Sequence, residues 1–224
     1  MKKLLSNSIG EKLKLKISGK KAVTGILIDI GSDILVLFDG KDYLYIPTAH
    51  VHDMHVLETD EITINPPNES PNFEHQDSLS LRKILNSSKG MFIEIYTSGN
   101  QALHGYVTSI MNNYFVFYSP VYKTMLISLY HLKWLIPYVS DLRPYGLGNE
   151  QLPLIPANIS LARSLEVQIE KMAGELIIIN LGEYYQAIGK VASLENNFIE
   201  LVTAKQDNIF INMQHVKTIH FANK

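Results

Sequence analysis

At 224 residues, with 46% hydrophobic and 19% charged residues, the chain has the composition of a folded globular protein rather than a disordered one. The formal net charge of −2 gives no global attraction to nucleic acid or an anionic membrane, and no stretch approaches the roughly 20 apolar residues of a membrane-spanning helix. With no cysteine, disulfides, thiolate metal sites and a thiol nucleophile are excluded.

The N-terminal Met1-Lys2-Lys3-Leu4-Leu5 begins like a secretory signal, but Ser6, Asn7, Ser8 and Glu11 intervene before an apolar stretch develops. Cytoplasmic synthesis is expected, and Lys2–Ser8 is at most a very short helix. Leu13, Leu15 and Ile17 then alternate with Lys12, Lys14 and Lys16, a period of two that predicts a half-buried strand with one charged face. Ser18-Gly19-Lys20-Lys21 is turn chemistry, and Val23 through Ile30 resumes the strand. Gly31-Ser32-Asp33 leads into Ile34–Phe38. Asp39-Gly40-Lys41-Asp42 predicts a hairpin, because Asp-Gly tolerates the positive φ of a primed turn. Tyr43–Ile46 pairs back, Pro47 ends it for want of an N–H, and His50–Val56 is a short closing strand.

Glu58–Asp77 holds Pro66, Pro67 and Pro71 with six acids and no Lys or Arg, and reads as a linker. Leu81, Ile84 and Leu85 have the spacing of a short helix over Ser80–Leu85, with Asp77 or Ser78 as cap. Strands are expected at Phe92–Tyr96, Leu103–Ile110, Tyr114–Tyr118, Met125–Leu129 and Lys133–Ile136. Tyr138–Ala157, with Pro144, Gly146, Gly148, Pro153 and Pro156, is a second linker. A longer helix over Ser160–Met172 aligns Leu161, Leu165, Ile169 and Met172. Strands then recur at Leu176–Asn180, Ala187–Leu194, Phe198–Val202, Ile209–Asn212 and Val216–Phe221.

These elements repeat one pattern. Gly10-x14-Gly25-x7-Asp33 recurs as Gly90-x14-Gly105-x7-Asn113 and as Gly174-x14-Gly189-x7-Asn197. Each copy runs on to a His-aliphatic pair: His50-Val51, His131-Leu132 and His215-Val216. The last two continue into Lys133 and Lys217, where the first has His52. Copies two and three carry one extra residue between the Asn and the His, placed in the hairpin loop. A histidine that recurs with the unit belongs to the unit's architecture before it belongs to an active site.

Five short antiparallel strands, bent in the second where the glycine sits, lose their exposed edges by rolling up. The expected fold is all-β with short helices: three tandem Sm-like or SH3-like five-stranded small barrels, each preceded by a short helix. The divisions are a barrel over 1–57, an acidic linker over 58–77, a barrel over 78–137, a Pro/Gly linker over 138–158 and a barrel over 159–224. Each unit is about 50–60 residues, a size at which one core is marginal alone, so packing between units or with other chains is expected.

The first copy, SGKKAVTGILIDIGSDILVLFDGKDYLYIPTAHVHDM, resembles an uncharacterised small domain of endospore-forming bacteria. Three copies closing on His-aliphatic-Lys, as in HLKWL and HVKTI, are similar to the N-terminal part of the spore coat protein B family. That family's Gly-Gly-Pro-Glu turn is replaced here by Ser18-Gly19-Lys20-Lys21, Ser98-Gly99-Asn100-Gln101 and Leu181-Gly182-Glu183-Tyr184, and its long Ser/Lys/Arg-rich tail has no counterpart before Lys224. The resemblance implies a structural or scaffolding role around the spore, with deposition on its surface and no chemistry of its own.

Sharper readings compete with this one. His50, His52 and His55 suggest a metal site, but the other copies lack the second and third histidines, and solvation or packing explains them. His131 and His215 are expected to hydrogen-bond the last turn. RNA binding is the rival, since Sm-like barrels commonly bind it through an Asp or Asn after the bent strand and a basic-Gly pair before the last. Asp33, Asn113 and Asn197 match the first element, while Pro47-Thr48-Ala49, Ser128-Leu129-Tyr130 and Asn212-Met213-Gln214 lack the second. Lys12, Lys14, Lys16, Lys20 and Lys21 form a basic stripe able to meet phosphates, or an ordinary solvated face and edge guard. Tyr114, Phe115, Phe117, Tyr118, Tyr122 and Trp134 crowd the second copy, some inward as core and the rest (Tyr118, Tyr122 and Trp134) a candidate protein interface. No Walker loop, Rossmann fingerprint, nucleophile elbow or HExxH is present. The expectation is a non-enzymatic interaction protein without cofactor, its partners other proteins, coat components or itself.

Overall fold

The computed structural model describes residues 5–19, 21–58, 63–68, 70, 71, 73, 79–97, 102–138, 144–148, 159–183 and 185–222. In the first unit, β1 (Lys12–Ile17) buries Leu13, Leu15 and Ile17 and exposes Lys14 and Lys16, the face pattern that its alternation dictates. It is followed by β2 (Lys21–Ile30), β3 (Ile34–Phe38), β4 (Tyr43–Pro47) and β5 (Val51–Val56). Pro47 is the last residue of β4, opposite Ile34, rather than a stop before it.

The second unit has helix α1 (Leu81–Ser87) and strands β6 (Phe92–Tyr96), β7 (Leu103–Ile110), β8 (Tyr114–Ser119), β9 (Lys123–Ser128) and β10 (Trp134–Pro137). The third has α2 (Leu165–Lys171), β11 (Leu176–Ile179), β12 (Ala187–Glu195), β13 (Phe198–Val202), β14 (Asn208–Asn212) and β15 (Thr218–Phe221). Both helices are shorter or shifted relative to expectation because serine sets their start. Ser80 Oγ accepts from Lys83 N, and Ser164 Oγ accepts from Val167 N. Asp77 and Ser78, the expected caps, lie outside the described residues, as do Lys20 and the turn at 98–101. In the first unit only a 3-10 turn, Ser6–Ser8, is described, with Leu5 buried ahead of it.

Among the described residues the fifteen strands form one open antiparallel sheet in the order β14-β13-β12-β11-β15-β9-β8-β7-β6-β10-β4-β3-β2-β1-β5. Among the described residues the fold is all-β with two short α-helices. Each unit contributes its fourth, third, second, first and fifth strands in that order. The fourth strand pairs with the fifth strand of the following unit: β4 with β10, and β9 with β15.

The two repeated glycines answer different demands. A Cβ on Gly105 would lie 2.1 Å from Tyr118 O, on Gly25 2.7 Å from Phe38 O and on Gly189 2.9 Å from Leu201 Cβ, so the third strand's approach excludes a side chain. Gly10, Gly90 and Gly174 instead have φ of +90°, +80° and +86°, a backbone that L side chains rarely adopt. The second strand carries a register shift just beyond its glycine in every unit, between Leu27 and Asp29, Val107 and Ser109, and Val191 and Ser193. Such an extra residue bends and twists the strand, so the bend sits at this bulge.

The apolar clusters cross from unit to unit. Ile34, Val36 and Tyr45 of the first unit pack with Ile84, Leu85, Ile93 and Ile95 of the second, joined by Phe73 from the 58–77 segment. Tyr114, Val116 and Leu126 of the second pack with Leu165, Ile169, Ile177 and Ile179 of the third. Strands three and four of the first two units are thus covered on both faces: one faces the unit's own core, the other supplies the next. Borrowed surface of this kind answers the marginal size of each unit.

Candidate functional site

The repeat-defining residues meet at the junctions between units. Asp33 Oδ1 accepts the backbone N–H of Leu81 at 2.9 Å, and Asn113 Oδ1 accepts that of Leu165 at 2.8 Å. The turn after strand two therefore caps the helix of the following unit, satisfying an N–H that a helix start leaves without an intrahelical partner. Asn113 Nδ2 also donates to both oxygens of Glu166, at 2.9 and 3.0 Å. Burial works to raise the Glu166 pKa, but the helix backbone, Asn113 and Ser164 hold it below its ordinary value. Asn197 occupies the same place in the third unit. It is exposed, and among the described residues its side chain has no hydrogen bond.

The histidines also reach across. Each ends a 3-10 turn between strands four and five. His50 Nδ1 lies 3.0 Å from Ser18 Oγ and 3.4 Å from Lys133 Nζ of the second unit, which also donates to Ser18 Oγ. Burial first, then the Lys133 charge, lowers the His50 pKa to about 4. His131 Nε2 bonds Gln214 O of the third unit at 2.9 Å, and burial lowers its pKa to about 4. His215 is exposed. Lys133 is itself held below its ordinary pKa by burial, whereas Lys217 pairs with Glu183 at 2.9 Å within its own unit.

Between the second and third units these groups line a cleft of about 630 Å³ that includes Asn113, Tyr130, His131, Glu166, Asn197 and His215. Its wall mixes apolar groups, Leu165 and Met213, with neutral hydrogen-bonding groups and the Glu166 carboxylate. A second, more apolar cleft of about 530 Å³ lies on the third unit's open edge, lined by Ile179, Ala187, Phe210 and Ile211 with Lys217 and Tyr185 at its rim.

β1 lies between β2 and β5, so its lysine stripe is not on an edge. Lys16 pairs with Asp53 at 3.3 Å, Lys12 is half-buried, and Lys21 sits 5.5 Å from the Tyr96 ring centroid. Trp134 stacks on Tyr96 at 4.1 Å and 11°, and Tyr118 is buried, so neither ring is a free surface. Tyr122 is exposed and edge-on to His220. His52 and His55 are exposed, with His55 Nε2 3.1 Å from Asp53. Among the described residues no three His, Asp or Glu side chains gather to hold a metal ion.

The stretch 164–219 matches the family model "YwrJ third domain", running from the cap of α2 into β15. The chain is also 42% identical over 222 residues to "Uncharacterized protein YwrJ" of Bacillus subtilis (strain 168), across 96% of this chain and 98% of that protein. The chain belongs to the YwrJ family. The segment shared with the YwrJ third-domain model contains Gly174, Gly189, Asn197 and His215, the third unit's full set of repeat-defining residues. Among the described residues of this YwrJ-family chain no helix is long and apolar enough to cross a membrane.

Sequence reading did not single out Ser18, Glu166, Tyr45, Leu126 or Phe210, which hold or end the junctions. One signal was available for the last three. Tyr43–Ile46, Met125–Ile127 and Ile209–Ile211 are apolar at consecutive positions, which fits a strand covered on both faces rather than one with a solvated side.

Proposed function

We propose that this protein is a non-enzymatic scaffold of the spore-coat type that assembles through its strand edges. The observation that carries the reading is the pairing of strand four with the next unit's strand five. It is used twice inside the chain and, among the described residues, leaves β14 and β5 as the two ends of the sheet. An exposed edge presents unpaired N–H and C=O groups that template strand addition. Each five-strand unit is, in this proposal, an Sm-like module bent by its bulge, whose two lips are carried to neighbours rather than to each other.

The rival RNA-binding reading needs the Asp or Asn after the bent strand for a nucleotide. Asp33 and Asn113 spend their side chains on helix N–H groups instead. The resemblance to the coat protein B family supplies the cellular setting of the proposal. A fluorescent fusion followed through sporulation tests it. Expression confined to sporulating cells with signal on the spore surface is expected, and steady vegetative expression with none in sporulation would sink it.

A further inference from the structure

The third unit's outer edge is open where the corresponding edges of the first two units are covered. Tyr45 of β4 and Leu126 of β9 sit opposite Leu135 and Ile219 in the two internal junctions, and both are fully buried. Phe210 holds the same position in β14 and is 64% exposed. Three further residues of this unit are open where their counterparts are engaged. Phe198 is 43% exposed, whereas Ile34 and Tyr114 are fully buried. Among the described residues Asn197 caps no helix and no unit packs over His215, unlike His50 and His131.

At the other end of the sheet β5 is the matching half. Met54 lies opposite Leu15 as Leu135 lies opposite Ile95 and Ile219 opposite Ile179, so Met54 is the counterpart of the residues that cover Tyr45 and Leu126. Met54 is only half-buried, and Val56 beside it is 58% exposed. β5 and β14 stand at opposite ends of the fifteen-stranded sheet, so they do not serve each other within one chain.

We infer that β14 and the apolar cleft beside it bind β5 of a second copy of this chain, with Met54 opposite Phe210, Asp53 opposite Ile211 and His55 opposite Ile209. That register continues the ladder of β9 and β15, in which Thr218, Ile219 and His220 face Ile127, Leu126 and Met125. The contact is head-to-tail, and the smallest assembly that leaves neither edge open is two copies, each giving both edges. Glu200, held by Ser193 and Asn208, stands between Phe198 and Phe210 where the internal junctions have Val36 and Val116. This charge makes the closing contact weaker than the internal ones and the association reversible. The inference rests on the scaffold reading only in its choice of edges, and it names the partner as the chain itself.

The absence of cysteine permits a direct test. In purified full-length chain carrying Met54→Cys mixed with chain carrying Phe210→Cys, oxidation is expected to give a covalent pair, since directly opposed strand residues have the Cα separation a disulfide needs. Either variant alone should give far less. Sedimentation of the unaltered chain should show twice the monomer mass of 25.3 kDa. Phe210→Lys should raise the dissociation constant at least tenfold, the change entering at both contacts, with an unaltered melting curve in protein dilute enough to be dissociated. A monomer at all concentrations, cross-linking independent of position, or an unlimited ladder of species would overturn the inference. A monomer that still reaches the spore surface removes the self-pairing and leaves the scaffold. A pair absent from spores does the reverse.

Discussion

Asn113 Oδ1 accepts the backbone N–H of Leu165 at 2.8 Å, so a turn of the second unit caps a helix of the third. Asp33 and Leu81 repeat the relationship one unit earlier. Order in each helix is thereby tied to the unit before it, and units joined in this way should unfold together.

Loss of that cap has a measurable cost. Asn113→Ala removes the bond to Leu165 and both bonds to Glu166, and should destabilise the chain by about 1–2 kcal/mol. Asn197→Gly, at the same repeat position but on a left-handed backbone (φ +63°) that glycine tolerates, should change stability by less than about 0.5 kcal/mol in dilute protein. Urea unfolding of the two variants side by side checks the contrast, and equal effects would deny the role.

The glycines divide into two kinds that substitution should separate. Gly105→Ala places a Cβ against the Tyr118 carbonyl and should cost about 1–3 kcal/mol by overpacking. Gly174→Ala meets no atom within 4 Å and should cost only about 1 kcal/mol, through its positive φ. Thermal melts of both variants test this order.

The buried His50 and His220 and the half-buried His131 make stability depend on pH. Burial lowers the pKa of His50, His131 and His220 to about 4, below the unfolded value near 6.5. The unfolded chain therefore binds more protons between these values, and stability rises with pH across that window. It is fully present above about pH 6.5 and is lost as pH falls toward about 4. The melting temperature should fall steeply between pH 6 and pH 4, with roughly two to three protons taken up on unfolding near pH 5. A flat profile there would contradict the burial of these rings.

Lys133 supplies a finer test of the first junction. Its ammonium lies 3.4 Å from His50 Nδ1 and is the second cause of that ring's low pKa. Lys133→Met should raise the His50 pKa from about 4 while leaving that of His220, which burial alone lowers, unchanged. An NMR titration of the ring protons reads both.

Much of the strand plan was legible because alternation at Lys12–Ile17, the Asp39-Gly40 hairpin and the glycine spacing are local signals. The extra residue of copies two and three does fall in the hairpin, where Ile34 faces Pro47 but Tyr114 faces Ser128 and Phe198 faces Asn212. What joins the units was not legible. Asp33 reads as a turn residue, and nothing nearby says that its carboxylate holds Leu81, 48 positions on. Tyr118 and Trp134 read as surface rings, because the neighbours that bury one and stack the other come from elsewhere in the chain. His131 was expected to fix its own turn and instead bonds Gln214, since a ring's partner is chosen by which unit packs over it.

Amide hydrogen exchange over Lys123–Ser128 and Asn208–Asn212, followed against protein concentration, most directly tests whether units join through strand-four edges and leave the third edge for another copy. The expected result is slow exchange of Lys123–Ser128 at every concentration, because β9 lies between β8 and β15. Asn208–Asn212 should exchange quickly along its open edge in dilute protein and slow down as the chain associates. Rapid exchange of Lys123–Ser128, or exchange of Asn208–Asn212 that does not change with concentration, would contradict it.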